Sequence, residues 1–111
     1  TLSEHVFVGT LPSTTDLEWD EMVLIDCDLP MVDNGVYTRA TVYVFLYARP
    51  NTDGTKNVHK LAQMEETLGE ILDNAKDDHY SINRQSNGSD YDSQLNWHRD
   101  FVYLNIVINK Y

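Results

Sequence analysis

The fold is decided by residues 36–46, which read Val-Tyr-Thr-Arg-Ala-Thr-Val-Tyr-Val-Phe-Leu. Aliphatic side chains alternate with aromatic and polar ones in this stretch, and this period of two predicts a long β-strand. Residues 101–109, Phe-Val-Tyr-Leu-Asn-Ile-Val-Ile-Asn, repeat the pattern. The aliphatic faces are expected in the core. The opposite faces are part aromatic and part polar, which suits a sheet half covered by a second subunit or by loops.

Three shorter stretches, residues 5–8, 22–27 and 79–85, are rich in β-forming residues and predict further strands. Asp33-Asn34-Gly35 tolerates positive φ, so we expect it to join the strands at 22–27 and 36–46 as antiparallel neighbours. Residues 86–94 are polar and rich in Gly, Ser and Asn, which is typical of a surface loop or hairpin excursion.

One amphipathic helix is predicted over residues 57–75, where apolar residues recur at three- and four-residue spacing. Asp53 or Thr55 is the expected cap of its first amides. The order strand, strand, long strand, helix, strand, long strand indicates an α+β fold. We expect a mostly antiparallel sheet of about five strands with one covering helix.

Length and charge narrow the possible functions. The 111 residues predict a single domain, and 8 bases against 18 acids give a net charge of −10. This balance argues against nucleic-acid binding. The single cysteine excludes an internal disulfide. No long apolar run or leader is visible, so a soluble intracellular protein is expected. Because Thr1 rather than Met opens the chain, the sequence is also compatible with N-terminal trimming, and a leader or first helix ahead of Thr1 stays an open alternative.

The N-terminal third is strongly acidic, because residues 1–38 contain eight acids and no base. Such a segment repels nucleic acid and attracts a basic protein surface, or lines a passage to which DNA must not adhere. The predicted acidic lumen or partner surface comprises Asp16, Glu18, Asp20, Glu21, Asp26, Asp28 and Asp33.

Few residues suggest catalysis or metal binding, and each such group has a simpler interpretation as solvated polar surface. The groups are Asp26 and Asp28 around Cys27; Asp73, Asp77, Asp78 and His79 after the helix; and the oxygen donors of residues 87–92. None has the spacing of a known metal site, and no P-loop, GxGxxG or HExxH motif occurs. We therefore predict no catalytic residue, metal or cofactor. A metal-dependent enzyme built around Asp73, Asp77, Asp78 and His79 is kept as the third hypothesis.

Aromatic residues are the remaining signal. Rings on the second faces of the two long strands resemble the aromatic enrichment of protein interfaces. A small second core under loops explains them equally well. The candidate subunit interface comprises Tyr37, Tyr43, Phe45, Tyr47, Phe101 and Tyr103.

The succession of hydrophobic blocks resembles the tail-completion or tail-terminator proteins of tailed phages. The resemblance lies in Val-Phe-Val-Gly-Thr-Leu-Pro at 6–12, Met-Val-Leu-Ile at 22–25 and residues 37–49, followed by Gly-Thr-Lys-Asn at 54–57, the helix at 61–72 and the strand at 98–108. It covers most of the chain and includes no catalytic signature.

This resemblance implies a non-enzymatic α+β subunit that forms a homo-oligomeric ring at the head–tail junction. There it would stop growth of the tail tube and meet other tail or connector proteins, in the virion tail and, during assembly, in the bacterial cytoplasm. Neither direct nucleic-acid binding nor membrane association is expected. The alternative is a stand-alone module that binds one protein partner through its aromatic sheet face.

Overall fold

The computed structural model describes residues 2–3, 5–10, 19–33, 37–75 and 80–109, with residues 28–33, 37, 38 and 109 described by their backbone alone. This part of the chain contains five strands and one helix. In chain order they are β1 (Val6–Val8), β2 (Glu21–Asp33), β3 (Tyr37–Ala48), α1 (Val58–Asn74), β4 (Tyr80–Asp92) and β5 (Trp97–Asn109).

The strands form one mixed sheet in the order β1-β2-β3-β5-β4. β1 is parallel to β2, and the three other pairings are antiparallel. The two stretches singled out for their alternation, β3 and β5, are neighbours at the centre of the sheet and pair from Tyr37↔Asn109 to Ala48↔His98. The predicted α+β class, with a mostly antiparallel sheet and a single helix, is confirmed.

The helix covers one face of the sheet. Its buried side chains, Leu61, Met64 and Leu68, recur at three- and four-residue spacing and therefore share one side of the helix. They pack into the main core with the aliphatic side of the strands: Val23, Val44, Leu46, Ala48, Val102 and Leu104. The 17-residue helix is about 25 Å long, whereas strands of 12 or 13 residues extend about 40 Å. Part of the sheet therefore projects beyond the helix.

The helix cap differs from the expected one. Asn57 is the N-cap, and its Oδ1 accepts a hydrogen bond from the Lys60 backbone amide at 3.1 Å. The predicted caps Asp53 and Thr55 instead bond to each other, with Thr55 Oγ1 donating to Asp53 Oδ1 at 2.6 Å. They stabilise the turn before the helix, in which Gly54 takes φ +85°.

Of the two alternatives for residues 86–94, a surface loop or a hairpin excursion, the structure shows the hairpin. Residues 86–92 continue β4 and pair with β5 as far as Asp92↔Trp97, so the connection is a short turn in which Asn96 takes φ 60°. Gly, Ser and Asn disfavour strands on their own, but pairing with the apolar β5 overrides that local preference. A register shift between Arg84 and Ser86 marks a bulge in β4.

β2 extends past the predicted end at Cys27 and continues through Pro30. The register with β3 shifts between Asp28 and Val32, so Pro30 lies within an irregular segment. Proline is compatible with this position because β1 pairs only with Val23–Ile25, and the later part of β2 is at the edge of the described sheet. β2 and β3 are antiparallel neighbours as predicted, while residues 34–36 of the expected turn lie outside the described residues.

Candidate functional site

An array of rings lies on the sheet face opposite α1. Tyr43 pairs with Tyr103 and Phe45 with Phe101 across β3 and β5. The ring centroids of Tyr43 and Tyr103 are 4.8 Å apart with their planes nearly perpendicular, and those of Phe45 and Phe101 are 6.0 Å apart. All four side chains are only half-buried. We call this set, Tyr43, Phe45, Phe101 and Tyr103, the aromatic ladder.

Polar contacts hold the ladder in place at one end. Tyr103 Oη donates a hydrogen bond to Thr41 Oγ1 at 3.3 Å. The Tyr43 and Phe45 rings, on the same side of β3, stack at 5.9 Å. The predicted interface residues of β3 and β5 are therefore brought together. Tyr37 pairs with Asn109 through its backbone, and its side chain lies outside the described residues.

Tyr47 does not belong to the exposed part of this face. Its side chain is 1% exposed and is buried in a second core with Met22, Leu24 and Trp97. The pKa of its phenol is raised, because burial disfavours the phenolate. Tyr47 was predicted as an interface residue, and this is corrected: its ring has no free surface to offer to a partner. At this end of the aromatic face, the interpretation as a second core is the one that holds.

The second core is supported by residues before β2. Trp19 stacks on His5 at 4.1 Å and on Phe7 at 5.6 Å between ring centroids. Arg49 holds the Trp19 backbone in place, because its Nη2 and Nε donate to the Trp19 carbonyl oxygen at 2.7 and 3.1 Å. The same guanidinium lies 5.1 Å from the Trp97 ring. This end of the aromatic face is therefore covered by other residues of the same chain.

Arg99 lies between the second core and the aromatic ladder and was missed by the sequence analysis. Its Nε and Nη2 donate to the two carboxylate oxygens of Asp90 at 2.5 and 2.9 Å, and its Nη1 donates to Tyr47 Oη at 2.8 Å. Its guanidinium carbon is 4.5 Å from the centre of the Phe45 ring. The Asp90 bond raises the pKa of Arg99, and the same bond lowers the pKa of Asp90. The sequence did contain a feature that could have identified Arg99. It stands two residues before Phe101, which places both side chains on the same face of the strand.

Gly88 is also part of this face. It is the cross-strand neighbour of Phe101, and a Cβ added to it would lie 2.7 Å from Phe101 Cζ. The ring thus lies over the glycine backbone, in space that any other residue would occupy. The sequence showed a glycine in a polar stretch but did not show its partner.

The predicted acidic surface is not one surface. Glu21 forms an ion pair with Lys60 of α1 at 3.4 Å and is on the helix side of β2, whereas Asp26 is exposed and pairs with Tyr43 on the other side. Asp20 is 87% exposed and lies 3.7 Å from Arg49 Nε. Because side chains alternate along a strand, Glu21 and Asp26 lie on opposite faces of the sheet. The expectation of a single acidic lumen or partner surface is corrected accordingly. Asp16 and Glu18 lie outside the described residues, as do the side chains of Asp28 and Asp33.

A buried polar cluster lies beneath the helix. Asp100 is 6% exposed. It accepts a hydrogen bond from Ser89 Oγ at 2.5 Å and lies 3.0 Å from Lys56 Nζ. Glu65 of α1 also faces Asp100, and its pKa is raised, first by burial and then by the Asp100 charge. The cluster joins α1 to β4 and β5 by charge-assisted contacts.

The predicted metal candidates are not assembled. Asp26 and Cys27 lie on opposite faces of β2, and the exposed Asp73 is in α1, while Asp77, Asp78 and His79 lie outside the described residues. Within the described ranges no group of three or more His, Cys, Asp or Glu is placed to hold a metal ion. The oxygen donors of residues 87–92 are spread along a strand.

No protein-family model matches the chain, and no curated protein matches it significantly. In the described part of the chain, no helix has the length and hydrophobicity that a bilayer span requires.

Proposed function

We propose that this chain is a non-enzymatic structural subunit that assembles into a ring, in the role that its resemblance implies: completing or terminating a phage tail at the head–tail junction. The observation that carries the assembly is the aromatic ladder. Its four rings are only half-buried on the sheet face that α1 leaves uncovered.

The composition of this face supports a protein partner rather than a small ligand. Aromatic residues and Arg are enriched at the centres of protein interfaces, and Arg99 stacked on Phe45 adds a positioned guanidinium beside the rings. Strands hold these side chains at fixed spacing, so little conformational entropy is lost when a partner covers them. The ladder is more ordered before binding than a loop surface would be.

The experiment is the mass in solution by light scattering over a wide concentration range, at low and moderate salt. We expect a discrete closed oligomer. Its formation should improve from low to moderate salt, because salt screens the repulsion between chains that each carry −10. Negative-stain electron microscopy of that oligomer should show a ring with a central opening.

Two variants test whether the aromatic ladder is the contact between subunits. Tyr43→Ala with Tyr103→Ala should shift the mass to that of a monomer with an unchanged circular dichroism spectrum. Ile71→Ala, at a side chain 45% exposed on α1, should leave assembly intact. If the double variant assembles like the wild type, the ladder is not the contact. A monomer under every condition would instead favour the module that binds one partner.

A charge test addresses the acidic segment. Reversing Asp20 together with Glu18, by Asp20→Lys and Glu18→Lys, should impair assembly or partner binding more than it lowers the unfolding free energy. Unchanged assembly would remove the acidic segment from the proposal.

A further inference from the structure

A cavity runs along the outer edge of β4. It has a volume of about 520 Å³ and lies between Tyr80–Arg84 on one side and Leu72, Asp73 and Ala75, at the end of α1, on the other. Side chains alternate between the two faces of a strand, yet all five of these consecutive β4 residues line the cavity. The cavity therefore follows the backbone edge of β4. We call it the β4–α1 groove.

The backbone of β4 is open toward this groove. β4 is the last strand of the sheet and pairs with β5 on its inner side, and among the described residues no strand pairs with its outer side. Outward-facing N–H and C=O groups along such an edge are available to a further strand. The register shift between Arg84 and Ser86 ends the regular part of the edge, because a bulge interrupts pairing. The groove thus accommodates an extended polypeptide of about five residues.

The two ends of the groove differ in charge. Arg84 is exposed, and within the described part of the chain its guanidinium has no hydrogen bond or ion pair, although its charge opposes the rise in the pKa of Glu65. The guanidinium lies against Gly69 of α1, where an added Cβ would be 2.8 Å from Nη2. Asp73 lies one turn further along α1, in a last turn that contains no base. Helix C-terminal carbonyl groups add partial negative charge there.

Between the charged ends the groove is apolar. Leu72 and Ile82 pack against the main core but are only partly buried, and both line the groove. On an added strand, the residues that share the helix-side face are two positions apart. An occupant therefore fits with an acidic residue at Arg84, an aliphatic residue at Ile82 and a basic residue near Asp73.

We propose that the β4–α1 groove binds an extended segment of another protein, which adds a strand to β4 over Tyr80–Arg84. The segment carries an acidic and a basic residue four positions apart, with an aliphatic residue midway between them. In this mode of recognition main-chain hydrogen bonds supply affinity and side chains supply specificity. No five residues of this chain have that pattern, so a second copy does not supply the segment. The inference goes beyond ring assembly, because it leaves the aromatic ladder free.

Two heptapeptides of equal composition test both strand directions. They are Ser-Lys-Thr-Val-Thr-Glu-Ser and Ser-Glu-Thr-Val-Thr-Lys-Ser, blocked at both ends, labelled, and followed by fluorescence anisotropy. We expect one order to bind. A control peptide with glutamine in place of both lysine and glutamate should bind about fivefold more weakly, as the loss of exposed ion pairs implies. Absence of binding by both orders at about 1 mM, or equal binding by all three peptides, would overturn the proposal.

Two matched variants locate the bound peptide. Arg84→Gln and Gln63→Glu each make the chain more negative by one charge, and both side chains are exposed. Arg84→Gln should weaken binding about fivefold, whereas Gln63→Glu, on the exposed side of α1, should leave it unchanged. Equal losses in the two variants would mean that overall charge governs binding, and the groove would be the wrong site.

Gly69→Ala separates binding from folding. The added methyl would displace the Arg84 guanidinium, so peptide binding should weaken while the unfolding free energy stays equal or rises. Unchanged binding would contradict the position given to Arg84 in the groove.

Amide hydrogen exchange shows whether the peptide binds as a strand. Amides of residues 80–84 that face away from β5 should exchange more slowly in the complex than in the free protein. Slower exchange at the aromatic ladder with no change at residues 80–84 would place the peptide on the other face and refute the proposal. Neither measurement depends on the oligomeric state, so failure here leaves the proposed ring untouched.

Discussion

The glycine beneath Phe101 gives the sharpest test of how the aromatic ladder is built. In Gly88→Ala the new methyl carbon would lie 2.7 Å from Phe101 Cζ and 3.2 Å from both Cε atoms. Carbon atoms in contact prefer about 3.5–4.0 Å. The ring must therefore move by several tenths of an ångström or more, away from its place beside Phe45.

The expected magnitude follows from two opposing effects. Overpacking of this kind costs about 1–3 kcal/mol, while replacing a strand glycine by alanine returns about 0.5–1 kcal/mol of backbone entropy. Gly88→Ala should therefore lower the unfolding free energy by about 0.5–2 kcal/mol. It should also weaken self-association, because it displaces a ring of the ladder.

Gly69→Ala is the matched control. A methyl there would lie 2.8 Å from Arg84 Nη2, the far end of a long side chain that can swing aside. Alanine is favoured over glycine inside a helix by about 1 kcal/mol, so Gly69→Ala should be neutral or stabilising by up to that amount.

Urea unfolding followed by tryptophan fluorescence measures both variants, with the slope m checked for constancy. In a Phe101→Ala background, Gly88→Ala should no longer destabilise, and this double-mutant cycle isolates the contact. The reasoning is refuted if Gly88→Ala is as stable as the wild type, or if its cost persists after Phe101 is removed.

Three more predictions concern the cores and the ion pairs. Leu61→Ala, at a side chain 1% exposed in α1, should cost about 2–5 kcal/mol in urea unfolding, and a value no larger than that of Ile71→Ala would contradict the helix packing. Because the pKa of Glu65 is raised above its ordinary 4.5, its stability contribution is lost as the pH rises through the folded pKa. Glu65→Gln should thus be more stable than the wild type at pH 7, and the gap should close toward pH 4; a gap independent of pH would contradict this. Arg99→Lys keeps the charge but loses the two-point contact with Asp90 and should cost about 1–2 kcal/mol, measured by thermal unfolding; an unchanged melting temperature would show that the contact contributes nothing.

Much of the fold followed from the sequence because burial imposes periodicity. The alternation in β3 and β5 and the three- and four-residue spacing in α1 are direct consequences of which side chains pack together. The continuation of β4 through residues 86–92 could not be predicted in this way. Its stability comes from pairing with β5, whose partner residues are 5 to 17 positions away, and not from its own composition. Gly88 leaves the space that the Phe101 ring occupies.

The site was predicted only in part. Alternation identified the aromatic ladder, because strand faces can be read from the sequence. It did not show which end the second core covers, since that depends on Trp19 and Trp97 being brought together from separate parts of the chain. Tyr47 and Phe45 are two residues apart on the same face, yet one is 1% exposed and the other half-buried.

Charge distribution determines which surfaces remain for assembly. Ion pairs among the described residues join Arg49 to Asp20, Lys56 to Asp100, Lys60 to Glu21 and Arg99 to Asp90. These pairs neutralise acids at the helix and at the sheet ends, so the net −10 comes from acids outside them. Two copies will therefore repel each other over most of their surface. Contacts between copies would be favoured where acids are sparse: residues 80–89 contain Arg84 and no acid, whereas the aromatic ladder has the exposed Asp26 beside Tyr43.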